Sequence, residues 1–238
     1  MKRALIALLL GCVTVMLASV AIAGQEQNDG ASITVHIGPW VPALNHCDPV
    51  PLTNSTVITE VNDCDPATGW YTVYVLVCNG SDSLGVAGLE YGIDYDGLES
   101  SGMDIWTWTS CTDLEFPQGD GAGPGADWPD AGTGNLQTWD YTINCQNTLS
   151  EPYVPRTVIA IAGAFEVQLF GPDLFYITPR PATGYAKVGD CFGAEYDITN
   201  EVPSHLGVGA FCLGQGYNPC GAPTPVKPAT WGQIKQQY

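Results

Sequence analysis

From Leu89 the large side chains fall on every second position, Leu89, Tyr91, Ile93 and Tyr95, with Glu90, Gly92, Asp94 and Asp96 between them. A two-residue period predicts a strand with one face in a core and the acid in water, ending at the Asp94-Tyr95-Asp96-Gly97 turn. Gly92 inside it predicts a bulge or the close approach of another backbone. The same alternation marks 32–38 (SITVHIG), where His36 falls opposite Ile33, Val35 and Ile37 and reads as a surface residue. It also marks 103–110 (MDIWTWTS), placing Trp106 and Trp108 on one face. Residues 70–80 (WYTVYVLVCNG) are β-branched and aromatic on both faces and close on Asn79-Gly80. They predict a mid-sheet strand, with 89–95 following as its antiparallel partner.

Residues 136–144 and 157–170 read as strands, the second bent or bulged at Gly163. Shorter strands are predicted within 174–179, 184–191, 192–199 and 206–214. Residues 24–30 are polar and predicted to fray, and 39–56 form a Pro-rich connection. Residues 117–135 (PQGDGAGPGADWPDAGTGN) predict a long Gly/Pro/Asp loop. Nine to eleven such segments, with a turn about every ten residues and no helical period before residue 229, predict an all-β fold. The expected form is a two-sheet antiparallel β-sandwich.

The ends change the domain picture. Lys2 and Arg3 precede a long apolar run that closes on Ala21-Ile22-Ala23. That pattern predicts a signal peptide over 1–23, a secreted or cell-surface location, and no transmembrane segment after cleavage. A retained membrane anchor and lipoprotein processing at Cys12 are the alternatives. A single domain over 24–220 then leads through a Pro-rich linker at 221–229 to a short tail, 230–238 (TWGQIKQQY). In the tail Thr230 can cap a helical turn carrying Trp231, Ile234 and Tyr238. It is either a docked end or a tag for sorting machinery.

Charge narrows the partners. Without its leader the chain keeps five basic residues against 25 acidic ones, and no Lys or Arg occurs between Gly24 and Pro155. Such a surface repels phosphate backbones, which excludes nucleic acid and disfavours anionic membrane. An extracellular protein or a glycan stays compatible. Eight cysteines outlast the leader: Cys47, Cys64, Cys78, Cys111, Cys145, Cys191, Cys212 and Cys220. An even count in an exported chain, with no C-x-x-C, predicts disulfides rather than zinc. Short separations favour Cys47–Cys64 and Cys212–Cys220.

Candidate chemistry is sparse. No nucleophile elbow, H-E-x-x-H, P-loop or dinucleotide fingerprint is present, and His36, His46 and His205 show no triad spacing. Glu90, Asp94, Asp96, Glu115 and Glu166 are candidates for an acid pair by residue type alone. Calcium is the better-motivated use of the acid: Asp94 and Asp96 share a face at a strand end, and the 113–130 region adds Asp113, Asp120, Asp127 and Asp130. Asp94, Asp96, Asp120 and Asp127 are the expected ligands of a structural calcium. Trp106, Trp108, Trp128 and Trp139 are candidate stacking platforms for a sugar.

The stretch TVYVLVCNGSDSLGVAGLEYGIDYDG resembles the opening of a cohesin-like β-sandwich. An apolar strand is followed by a turn and by Gly88-Leu89-Glu90-Tyr91-Gly92-Ile93-Asp94-Tyr95-Asp96, and AGAFEV (162–167) is similar to a later strand of that family. The resemblance implies that the disulfide-stapled sandwich has cohesin/immunoglobulin-like architecture. Eight cysteines and the 117–135 loop depart from cohesins, so dockerin binding is not carried over. The whole chain is also similar to exported, cysteine-bearing sandwiches of environmental bacteria with a Pro-linked TWG-x-I-K end, which implies display or secretion and a sorting role for the tail. The expected function is a non-catalytic adhesion or protein-interaction module. A carbohydrate-binding module and an acid-pair hydrolase are the alternatives. Exposed coplanar indoles would favour the former, and a cleft with two carboxyls at catalytic separation the latter.

Overall fold

The computed structural model describes residues 28–42, 45–47, 56–62, 69–81, 83–118, 127–147 and 158–221, with only the backbone of 118, 158 and 159. The leader, Cys64, Asp120 and the 230–238 tail lie outside them, as do most of the predicted linker and part of the 117–135 loop. Among the described residues twelve strands run in chain order: β1 (Ser32–Pro39), β2 (Glu60–Val61), β3 (Trp70–Cys78), β4 (Gly88–Asp94), β5 (Met103–Ser110), β6 (Leu114–Gln118), β7 (Thr133–Thr138), β8 (Val158–Leu169), β9 (Asp173–Thr178), β10 (Lys187–Gly189), β11 (Glu195–Asp197) and β12 (Val208–Phe211). They form a β-sandwich. One sheet has the antiparallel order β1-β3-β8-β5. In the other, β4 is central, with β7 and then β6 on one side, and β9 and β10 pairing with it towards β12 and β11. Of these paired strands only β2 with β12 runs parallel.

The alternation puts Ile33, Val35 and Ile37, Val73, Val75 and Val77, and Phe165, Val167 and Leu169 against Leu89, Tyr91, Ile93, Phe175, Ile177 and Phe211. Burying such side chains contributes roughly 1.5–3 kcal/mol each. Tyr91 is fully buried and still satisfied: its hydroxyl donates to Gln137 Oε1 at 2.8 Å, and Gln137 Nε2 donates across the core to the Ala162 carbonyl at 3.1 Å. Both sheets are thereby tied through one buried polar chain.

β3 sits mid-sheet and is buried on both faces. Its outward Tyr74 and Leu76 lie under Val57, with Ala164 and Ile161 alongside. Two further bonds hold this cover. The Ile37 amide donates to the Ile58 carbonyl at 2.8 Å, and the Ile58 amide donates to His36 Nδ1 at 3.0 Å. His36 is therefore buried rather than on the surface, because a later segment returns over its face. Its burial lowers its pKa from the ordinary 6.5. The unfolded chain then takes up the proton first, so stability present above about pH 6.5 is lost as the pH falls. Melting curves between pH 7.5 and 5 are expected to show this loss. His36→Asn keeps an acceptor without titrating and should flatten it, and an unchanged slope would remove His36 as the cause. The bond at stake is worth about 1 kcal/mol.

Several sequence expectations are corrected. β4 is no hairpin partner of β3. The connection 79–87 is too long for a two-residue turn, and although Asn79 does turn at φ 58°, the chain crosses to the opposite sheet. Residues 28–30 are no frayed end: Asn28 is buried in a 3-10 turn, donating to the Gly85 carbonyl at 2.8 Å and accepting from the Ser81 amide at 2.6 Å. The strand expected at 136–144 is shifted to 133–138, where it pairs with β4 over its whole length, and the Ile143 and Asn144 amides turn back onto the Asp140 carbonyl beyond it. The long loop is shortened by β6 and β7, whose hairpin takes in both its ends.

Cysteine pairing also departs from the short-range expectation. Cys47 joins Cys111, Cys78 joins Cys220, and Cys145 joins Cys191; Cys212 is disulfide-bonded as well. Folding brings cysteines 46 to 142 positions apart within 5.2–5.9 Å between Cα atoms, so folded proximity, not chain separation, selects the partners.

Candidate interaction surfaces

Trp106 and Trp108 do not share a face. Along β8, Ile105 opposes Val167 and Thr107 opposes Glu166, so Trp106 is an inserted residue. A bulge of this kind reverses the parity of the strand residues beyond it. Trp108 turns inward onto Phe165 at 4.4 Å between ring centres, beside Trp128 at 5.4 Å. Gly163 makes room for it, because a Cβ there would collide with the indole. Trp108 Nε1 donates to Glu115 Oε2 at 3.0 Å, and Trp139 is buried with Nε1 on the Cys111 carbonyl at 3.0 Å. Of the four predicted platforms Trp106 alone is exposed, at 63%.

Trp106 has companions that the sequence did not suggest. Its ring centre lies 5.3 Å from that of Trp70, which lies 5.6 Å from that of Trp40. The three indoles form a row across one end of the outer face of the β1-β3-β8-β5 sheet. Parity along β3 was the available signal: Trp70 falls out of step with the core residues Val73, Val75 and Val77.

The acid-pair candidates are each occupied elsewhere. Glu90 is buried rather than facing water, accepting from Arg180 Nη1 at 3.3 Å and from the Thr183 hydroxyl at 2.7 Å. Glu115 accepts from Trp108 and from Asn135 Nδ2, and Glu166 meets His46 Nε2 at 3.1 Å. Asp94 and Asp96 are exposed, their Oδ1 atoms accepting the Tyr95 and Leu98 amides. Asp96 also neighbours Asp173, whose pKa is raised by burial and then by the Asp96 charge. Asp127 is exposed and its amide donates to Asp130. The described residues contain no group of three His, Cys, Asp or Glu side chains that could hold a metal ion. Nor do they contain a helix long and apolar enough to cross a membrane.

A second surface lies at one end of the sandwich. Ile143 is 85%, Phe192 77% and Tyr141 64% exposed, on two loops joined by Cys145–Cys191 with Cα atoms 5.9 Å apart. Both loops are internally braced. Asp140 Oδ1 accepts from the Thr142 amide at 2.9 Å and from its hydroxyl, which lowers the Asp140 pKa. Asp190 Oδ1 accepts from the Phe192 and Ala194 amides at 2.8 and 2.9 Å, and its Oδ2 from the Tyr196 hydroxyl. Exposed carboxylates of Asp113, Asp140 and Asp197 stand on these loops and their neighbouring strands, while Glu195 beside them meets Lys187 Nζ at 3.1 Å. Ile143, expected in a strand, sits instead in a turn that Asp140 and Asn144 close around it.

No protein-family model matches the chain, and no curated protein matches it. In fold it is similar to the cohesin module of a family 33 glycoside hydrolase from Clostridium perfringens, at 11% identity and a TM-score of 0.40, over 76% of this chain and 96% of that one. It is also similar to a chain of the CaDoc0917–CaCohA2 complex, at 16% identity and a TM-score of 0.30, over 60% of this chain and 94% of that one. With overlap of this order the sandwich class rests on the two sheets themselves, and no partner is carried over.

Proposed function

We propose that the chain is a non-catalytic, exported protein-interaction module that docks a basic, apolar-anchored surface at the cell exterior. The observation that carries this is the end bearing Tyr141, Ile143 and Phe192: three large apolar side chains held in solvent on loops cross-linked by a disulfide. Large exposed apolar groups on braced loops are what an interface core requires, because little conformational entropy is lost on binding. The acidic residues around them select a cationic rim on the partner and speed encounter. Disulfides fit an oxidising compartment. Of the candidate carboxylates of a hydrolase, Glu90, Glu115 and Glu166 are instead engaged by Arg180, Thr183, Trp108, Asn135 and His46.

The test is retention of the full secreted chain on the envelope fraction of the cells that export it. Phe192→Asp and Ile143→Asp are expected to lower retention at least about tenfold while leaving the melting temperature within about 2 °C, since both side chains are already in water. Raising the salt from about 0.05 to 0.5 M should weaken binding further through screening. Retention of both variants at the level of the parent chain would remove this end as the docking surface.

A further inference from the structure

We propose that the Trp40–Trp70–Trp106 row is a second, independent site, and that it takes a single chain of a neutral polysaccharide. Trp70 opposes Gln168 on β8, and Gln168 opposes Asp104 on β5, so indole, amide and carboxylate stand in line on one face. Trp106 closes the line from the bulge, 5.3 Å from Trp70. The Gln168 side chain, half-buried on the strand between β3 and β5, has no hydrogen-bond partner among the described residues. Asp104 accepts from the Ser100 amide at 3.0 Å and keeps lone pairs to spare.

This is the chemistry a pyranose uses. Its C–H face stacks on an indole, and its equatorial hydroxyls need an adjacent donor and acceptor. The rings are tilted by 53° and 41° to their neighbours, so they cannot lie together on a flat crystalline surface. A free chain can twist to follow them. Charge decides between sugars: a formal −18 over the whole sequence, including Asp104 within the row, repels uronic and sulfated chains and leaves a neutral one unpenalised.

The experiment is titration of the full secreted chain with cellohexaose, xylohexaose and mannohexaose, followed by tryptophan fluorescence and calorimetry, with hexagalacturonate as the charged control. At least one neutral hexasaccharide is expected to bind saturably and hexagalacturonate to fail. Trp106→Ala and Gln168→Ala should each weaken binding by about tenfold or more, and Trp106→Phe should recover part of it. Phe192→Asp should leave it unchanged, which separates this site from the loop end. Trp106 is exposed, so its loss tests the row without endangering the fold. Absence of saturable binding by all three neutral chains would overturn the proposal. So would equal binding of hexagalacturonate, or full affinity in Trp106→Ala and Gln168→Ala.

Discussion

Replacing Arg180 with alanine is expected to destabilise the protein by about 3–5 kcal/mol, the cost of leaving a buried charge without its partner. Arg180 and Glu90 are both buried, 3.3 Å apart. Arg180 also donates Nη2 to the Phe116 carbonyl at 3.2 Å, linking β6 to the turn after β9. Its aliphatic stem lies over Gly134, beside the equally bare Gly92, whose missing Cβ leaves room for the Pro179 carbonyl. Two glycines opposite each other on β4 and β7 thus make the floor on which this turn rests. A loss of that size corresponds to a drop of roughly 10 °C in melting temperature for a domain of this size. Thermal denaturation of Arg180→Ala checks it, and a fall of less than about 2 °C would show that the pair carries no such energy. Arg180→Met combined with Glu90→Leu should recover most of the loss, because no buried charge then remains.

The Cys78–Cys220 bond carries the other large effect. It closes a span of 142 residues between two fully buried positions. Replacing both cysteines by alanine is expected to cost about 2–5 kcal/mol, chiefly through the freedom returned to the unfolded chain. Cys145–Cys191 spans 46 residues, and its removal should cost about 1 kcal/mol less on the same logarithmic dependence. Denaturant unfolding of both double variants measures the two losses. A Cys78/Cys220 variant as stable as its parent would contradict the assignment. The Cys145/Cys191 variant has a second readout, since the Ile143 and Phe192 loops lose their cross-link and envelope binding should weaken beyond what stability explains.

The β class, the core of β1, β3 and β4, and the close approach at Gly92 were legible because a two-residue period depends only on local order. What local order does not encode was misread. One inserted residue at Trp106 changed which indole faces water. Glu90 looked solvated because its cation, Arg180, lies 90 residues away. His36 looked exposed because Ile58 returns over it only in the folded chain. Disulfide partners followed the folded proximity of distant segments, and the loop-borne Phe192 and Ile143 stood in turns whose Asp braces carry no hydrophobic period. The predicted calcium ligands Asp94, Asp96 and Asp127 are exposed residues engaged in local backbone hydrogen bonds.

The sulfur bond between the end of β3 and Cys220 also decides how the molecule carries mechanical tension. A pull applied beyond Gly221 reaches Cys78 through two side chains, without passing along the strands in between. Everything from β4 to β12 is therefore shielded from extension, and only the part of the chain before Cys78 can lengthen under load. A module fastened to a surface by that side would keep the loops bearing Tyr141, Ile143 and Phe192 off the covalent path of the load, whereas Trp40 and Trp70 lie on it.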